Sequence, residues 1–308
     1  MARKITILSI IIAVLFSVNV YFLVTSAGIK DQDAGPVFNT AQVYVMPVTQ
    51  ADFLPILDAS TGNIALDARS AIVYDIKSNR ALFSKDSRQK LPIASLTKIL
   101  TAIVVWENMS PNDIVTVQPD AVKVDGERQD LYTGETMSVT NLMQLMLVES
   151  SNDAAYALRD HVATKNLDLV AMMNAKAAAL DMNSTHAVDP AGLDDRGYST
   201  AEDLIKAVHY ALRYDAIWNF SREKTAVVTS SDGRFSHDIK TTNQLLGVLA
   251  DIVGGKTGYT DSALGCMMLV VDIPNQDDKI ISVILGSRAR FTDMKNLVEW
   301  TTRAYRWQ

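Results

Sequence analysis

The β-strand signals of this 308-residue chain sit near its two ends, and the middle is helical. That separation constrains the fold strongly, because strands from both ends must meet in one sheet. Ala71-Ile72-Val73-Tyr74 reads as a strand, Lys77-Ser78-Asn79-Arg80 as a turn and Ala81-Leu82-Phe83 as the hairpin partner. Pro92 opens a helix whose apolar positions Ile99, Leu100, Ile103, Val104 and Trp106 follow a helical period. Further helices are expected over 141–148, 153–164, 166–180 and 201–214. Beta character returns at 225–228, 265–271 and 279–285, and 296–307 reads as a closing helix. Strands at both ends around a helical insert predict an α/β (α+β) domain: a mixed sheet flanked by helices, with a helical subdomain from the middle.

The N-terminus has a different character. Arg3 and Lys4 precede an uncharged apolar stretch from Ile5 to Val24. About twenty residues at ~1.5 Å each reach ~30 Å, the thickness of a bilayer core. Residues 1–27 are therefore expected to be a signal peptide or a membrane anchor, with Thr25-Ser26-Ala27 as a small-residue cleavage site. In either case the basic flank stays inside and the remainder is exported. Residues 28–68, with Pro36, Pro47 and Pro55 and no sustained period, read as a stalk, and 69–308 as the domain proper.

Composition narrows the function classes. A net charge of −6 provides no electrostatic footprint for nucleic acid. The single cysteine, Cys266, excludes an internal disulfide framework. His161, His186, His209 and His237 are scattered without metal-ligand spacing, so neither a metal nor a cofactor is expected.

Three short motifs carry the chemistry, in this order: Ser95-Leu96-Thr97-Lys98, Ser150-Ser151-Asn152, and Lys256-Thr257-Gly258. Each is weak alone. The Ser-x-x-Lys spacing recurs at Ser87–Lys90 and Ser221–Lys224, and Ser-x-Asn at Ser17–Asn19 and Ser110–Asn112. Together they describe serine acyl transfer: a nucleophile beside a lysine base, a second polar pair and a cationic strand edge. Ser95 and Lys98 share one face of a helix whose N-terminal field favours a developing anion. Lysine serves as a base only when neutral, and burial or a neighbouring cation, here Lys256, lowers its pKa. Ser150 is placed to relay a proton to a leaving amine, and Asn152 to hold a substrate carbonyl or orient the lysine. One member of the Ser150–Asn152 turn is also a candidate cap for the following helix. Gly254, Gly255 and Gly258 strip a strand of side chains, which suits close approach by an extended peptide. The phosphate-loop spacing is absent.

These residues resemble the serine-type D-alanyl-D-alanine carboxypeptidases, the low-molecular-mass penicillin-binding proteins of the peptidase S11-like family. The likeness extends to Pro92–Ala102, to Met173-Asn174-Ala175-Lys176, to Pro190-Ala191-Gly192-Leu193 with Tyr198-Ser199-Thr200-Ala201, and to Asn243-Gln244-Leu245-Leu246. It implies a β-lactamase/transpeptidase-like fold with a mainly antiparallel sheet. It also implies an acyl-enzyme on Ser95 with Lys98 as base, completed by Ser150, Asn152 and Lys256. Substrate would be held by Lys256, Thr257, Gly258 and Tyr259, with the N–H groups of Ser95 and Tyr259 as the oxyanion hole. Arg290, with Arg288 as rival, would bind the substrate carboxylate. The implied partners are peptidoglycan stem peptides, β-lactam antibiotics as covalent inhibitors, and the cytoplasmic membrane through the N-terminal segment. The implied location is the extracytoplasmic face of that membrane.

Two departures from the family pattern stand out. A glycine is displaced in Thr260-Asp261-Ser262-Ala263-Leu264-Gly265-Cys266, which leaves the local strand register open. No C-terminal β domain is expected after the last helix. Rival readings are a D,D-endopeptidase on peptide cross-links, a β-lactamase (whose Glu-x-x-Leu-Asn string does not occur here) and an inactive peptidoglycan-binding module.

Overall fold

A computed structural model describes residues 54–124 and 131–307; the expected N-terminal segment and most of the stalk lie outside them. No helix among the described residues is long and apolar enough to cross a membrane. The elements, in order, are β1 (Ile56–Leu57), β2 (Ser70–Asp75), β3 (Arg80–Lys85), a 3-10 turn (Ala94–Thr97), α1 (Lys98–Asn108), β4 (Ile114–Thr116), β5 (Thr136–Ser138), α2 (Val139–Val148), α3 (Asn152–Thr164), α4 (Leu169–Ala179), α5 (Ala201–Ala211) and α6 (Asp215–Ser221). They continue with β6 (Thr225–Thr229), β7 (Ser236–Lys240), β8 (Ile252–Thr260), β9 (Leu264–Asp272), β10 (Lys279–Ser287), α7 (Arg290–Ala304) and β11 (Tyr305–Arg306).

Strands from the two ends of the chain do meet. A five-stranded sheet runs β3-β2-β10-β9-β8, antiparallel at every pairing. Alternation along each strand divides its side chains between two cores. Ala71, Val73, Met267, Leu269, Ile280 and Ile284 join Met294, Leu297 and Val298 of α7 on one face. Ile72, Met268, Val270, Ile281 and Val283 face the helical lobe on the other. Covering both faces explains why β9 and β10 read as near-continuous apolar runs, broken in β10 by Ser282. Each fully buried Leu or Met contributes roughly 1.5–3 kcal/mol.

Four details depart from the sequence expectations, the first being that the helix expected to open at Pro92 starts at Lys98, with Ser95 on the 3-10 turn before it. The predicted strand at 225–228 forms β6, which pairs with β7 as a separate hairpin outside the main sheet. Only Val228 of β6 and His237 and Ile239 of β7 are buried in that hairpin. The helix expected over 201–214 forms as α5 and ends at Ala211. A further short helix that the sequence did not announce, α6, follows it, with the Trp218 indole donating to the Ala211 carbonyl (2.9 Å) across the break. The closing helix starts at Arg290, which brings that arginine to its first turn.

Candidate active site

Ser95 sits on the 3-10 turn before α1, where Ala94 takes a left-handed φ of 47°. Two glycines let the surroundings close on this turn. A Cβ on Gly192 (φ 77°) would lie 2.0 Å from the Ala94 carbonyl oxygen. One on Gly258 would lie 2.9 Å from the Ser95 nitrogen. Neither space admits a side chain, so loop 189–197 and strand β8 flank the serine directly.

Lys98 opens α1 and is fully buried. Its Nζ donates to Ser95 Oγ (2.8 Å), Asn152 Oδ1 (2.7 Å) and the Ala191 carbonyl (3.0 Å). Burial lowers its pKa from an ordinary 10.5 to about 7, and the negative charge of Asp189 opposes that fall. Of the two causes expected, burial and the neighbouring cation Lys256, burial is the one that dominates. Repulsion between the two ammonium groups falls on Lys256, whose pKa the charge of Lys98 lowers further.

The junction between α2 and α3 divides its work among three residues. Ser151 caps α3 through its Oγ, which accepts from the Ala154 N–H (3.1 Å). That leaves its neighbours to the cleft. Ser150, at φ 70°, accepts from Lys256 Nζ (2.8 Å), while Asn152 accepts from Lys98. A left-handed non-glycine residue costs of the order of 1–3 kcal/mol, and such strain concentrates at functional sites.

Strand β8 forms the opposite wall, at the edge of the sheet. Lys256 is 2% exposed, and its Nζ also donates to the Thr257 carbonyl (2.9 Å). Burial pushes its pKa well below the usual lysine value, and the charges of Lys98 and Arg290 push the same way. Thr257 Oγ1 shares a hydrogen bond with Thr242 Oγ1 (2.6 Å). The cleft between the walls has a volume of about 480 Å³ and is lined by Ser95, Ser150, Asn152, Thr257, Gly258, Tyr259 and Arg290, among others. Arg290 enters this lining, with its guanidinium 5.8 Å from the centre of the Tyr259 ring. Its rival Arg288 turns outward and pairs with Asp67 at the surface. A larger cavity of about 1000 Å³ lies elsewhere, between the β2–β3 hairpin and α5.

The displaced glycine has a concrete outcome. The register is regular, with Thr260 opposite Leu264, Tyr259 opposite Gly265 and Gly258 opposite Cys266. Leu264 adopts a left-handed φ of 57° at the hairpin, a conformation that suits glycine. Gly265 answers a different need: a Cβ there would lie 2.5 Å from the Ser287 carbonyl oxygen and 2.9 Å from the Arg290 Cβ.

The other Ser-x-x-Lys pairs make no such arrangement. Ser221 is buried and donates to the Trp218 carbonyl (3.1 Å), and Ser87 Oγ accepts from Ser84 Oγ at the surface (3.0 Å). Sequence reasoning passed over Asp189 and Thr242. Each directly precedes a segment already singled out, Pro190–Leu193 and Asn243–Leu246.

A lysine–serine pair, a second serine–asparagine pair and a lysine on a sheet edge thus converge on one cleft. The family described as D-alanyl-D-alanine carboxypeptidase, peptidase S11, matches residues 58–289. The chain belongs to this family. Among curated relatives of this D-alanyl-D-alanine carboxypeptidase family member, DacF of Bacillus subtilis is 28% identical over 234 residues, covering 74% of this chain and 59% of DacF. The D-alanyl-D-alanine endopeptidase of Escherichia coli is 30% identical over 243 residues, covering 75% of this chain and 76% of that protein. The crystal structure of a D-alanyl-D-alanine carboxypeptidase from Mycobacterium tuberculosis superposes with a TM-score of 0.72 at 26% identity, over 80% of this chain and 95% of that one. A DD-transpeptidase from Streptomyces gives 0.72 at 25% identity, over 79% and 99%. The family and the antiparallel sheet with its helical lobe agree with the fold that the resemblance implied, while the mixed sheet expected from the strand pattern is antiparallel at every pairing described.

Proposed function

We propose that this chain is a serine D,D-carboxypeptidase that removes the terminal D-alanine from peptidoglycan stem pentapeptides through an acyl-enzyme on Ser95. One observation carries the reading above the rest: the fully buried Lys98, with its pKa lowered to about 7, donates to Ser95 Oγ at 2.8 Å. Neutral Lys98 takes the Ser95 proton as Oγ attacks the carbonyl carbon of the penultimate D-alanine. The tetrahedral oxyanion collapses, the peptide C–N bond breaks and the departing D-alanine amine takes up a proton through Ser150, which Lys256 orients. Water then attacks the acyl-enzyme, with proton transfer through the same lysine, and regenerates Ser95. Thr257, Gly258 and Tyr259 receive the substrate backbone, the N–H groups of Ser95 and Tyr259 hold the oxyanion, and Arg290 meets the terminal carboxylate.

The same cleft supports a second reading. The Escherichia coli relative is named an endopeptidase, and the match spans 76% of it against 59% of DacF. Cleavage of D-alanyl cross-links uses the same steps with a larger leaving amine. Penicillin, whose strained amide presents the same acyl carbon, acylates Ser95 under both readings. Residues 1–27 act as an export signal or anchor, and the stalk expected over 28–68 leads into the catalytic domain expected over 69–308. The last residues of that stalk already pack on the domain, Ile56 and Leu57 against β11 and Ala68 in the core. The cleft then lies outside the cytoplasmic membrane.

The full chain incubated with a synthetic stem pentapeptide is expected to release one D-alanine, read by mass spectrometry. A cross-linked dimer tests the endopeptidase reading in parallel. An intact pentapeptide and an intact dimer after prolonged incubation contradict both.

A further inference from the structure

Asp189 belongs to none of the three motifs, yet it is only 7% exposed and fully engaged. Its Oδ1 accepts from the N–H groups of Ala191 (2.7 Å) and Gly192 (2.6 Å), and its Oδ2 from that of Asp194 (2.8 Å). Three backbone donors on one carboxylate fix the path of the chain from Pro190 to Asp194. That path turns two carbonyls toward α1: Pro190 accepts from Thr101 Oγ1 (2.7 Å) and Ala191 from Lys98 Nζ (3.0 Å).

We propose that Asp189 is a positioning residue for Lys98: with three backbone N–H groups gathered on its carboxylate, it pins the Ala191 carbonyl on the lysine. A general base works best when its pKa lies near the operating pH. Burial alone drives an amine toward permanent neutrality, and a base that weak holds the serine proton poorly during attack. The groups that face Lys98 are Ser95 from its own turn, Asn152 from α3, Ala191 and Asp189 from the loop, and Lys256 from β8, backed by Arg290 of α7. Of the charged groups in this set, Asp189 favours the ammonium form; the buried Glu149 at the end of α2 lines the same cleft.

This inference rests on Lys98 being the base for Ser95, and its test separates the two claims. The rate of acylation by labelled penicillin is measured across pH for the wild type, Asp189→Asn and Asp189→Ser. The wild type is expected to rise through a midpoint near the pKa of about 7 held by Lys98. A wild type with no such midpoint overturns the assignment of the base. With the midpoint present, both variants are expected to shift it downward by about one pH unit and to lower the plateau rate by up to ~tenfold. A lowered plateau with an unmoved midpoint means that Asp189 only shapes the loop, which overturns the inference. Loss of the folded state in both variants, read by near-ultraviolet circular dichroism, makes Asp189 a scaffold element and overturns it too.

Discussion

The helical wall of the cleft and its strand wall each bury one lysine, but they hold it differently. Lys98 on the helical side meets acceptors from three separate segments, and a carboxylate partly offsets its desolvation. Lys256 on the strand side has the Ser150 hydroxyl and the carbonyl of its own neighbour Thr257, and the charges bearing on it are the cations Lys98 and Arg290. The first environment suits an amine that gains and loses a proton each cycle. The second suits an amine that orients a hydroxyl and shapes the field along the sheet edge. Buried lysines at one site therefore need not share one role, since the partners decide it.

The largest expected effect breaks the helical wall. Lys98→Met should lower the penicillin acylation rate by about 10³-fold, within the range of general-base catalysis. The wild-type rate should climb with pH as the ammonium loses its proton, with its midpoint at about 7 and the site inactive well below it. A midpoint in the ordinary carboxylate range would assign the base to an acid instead.

On the strand wall, Gly258→Ala should cost about 10²-fold in acylation, because a Cβ 2.9 Å from the Ser95 nitrogen must displace the strand or the nucleophile turn. Stopped-flow quenching of protein fluorescence measures it, and an unchanged rate would show that the two walls are not in close register.

Ser151→Ala sharpens the division at the α2–α3 junction. Loss of the cap should lower stability by about 1 kcal/mol in urea unfolding while acylation stays near wild type. The smallest effect falls at the hairpin after β8. Leu264→Gly should raise stability by up to ~1 kcal/mol, as relief of the left-handed strain outweighs the entropy of glycine.

Much of this architecture was legible in the sequence. The helical middle announced itself through a period that local residues obey, and β9 and β10 through apolar runs. Ser95, Lys98, Ser150, Asn152 and Lys256 were found from spacing and order, and the structure gathers them within hydrogen-bonding reach of one another in pairs. What stayed hidden depended on contacts between distant segments. Nothing local in Asp189 says that its carboxylate will fold back on three amides and turn a carbonyl onto α1. Ser151 and Ser150 are the same residue type, and only the backbone angles separate the cap from the residue that faces the cleft. Arg288 and Arg290 likewise diverge because α7 begins between them.

The central claim is that Ser95 is the nucleophile of this cleft. Intact-mass spectrometry of the full chain after exposure to benzylpenicillin tests it most directly. The wild type should gain one penicilloyl adduct, mapped by peptide fragmentation to Ser95, and Ser95→Ala should gain none. An adduct that persists in Ser95→Ala, or none on the folded wild type, would contradict the account.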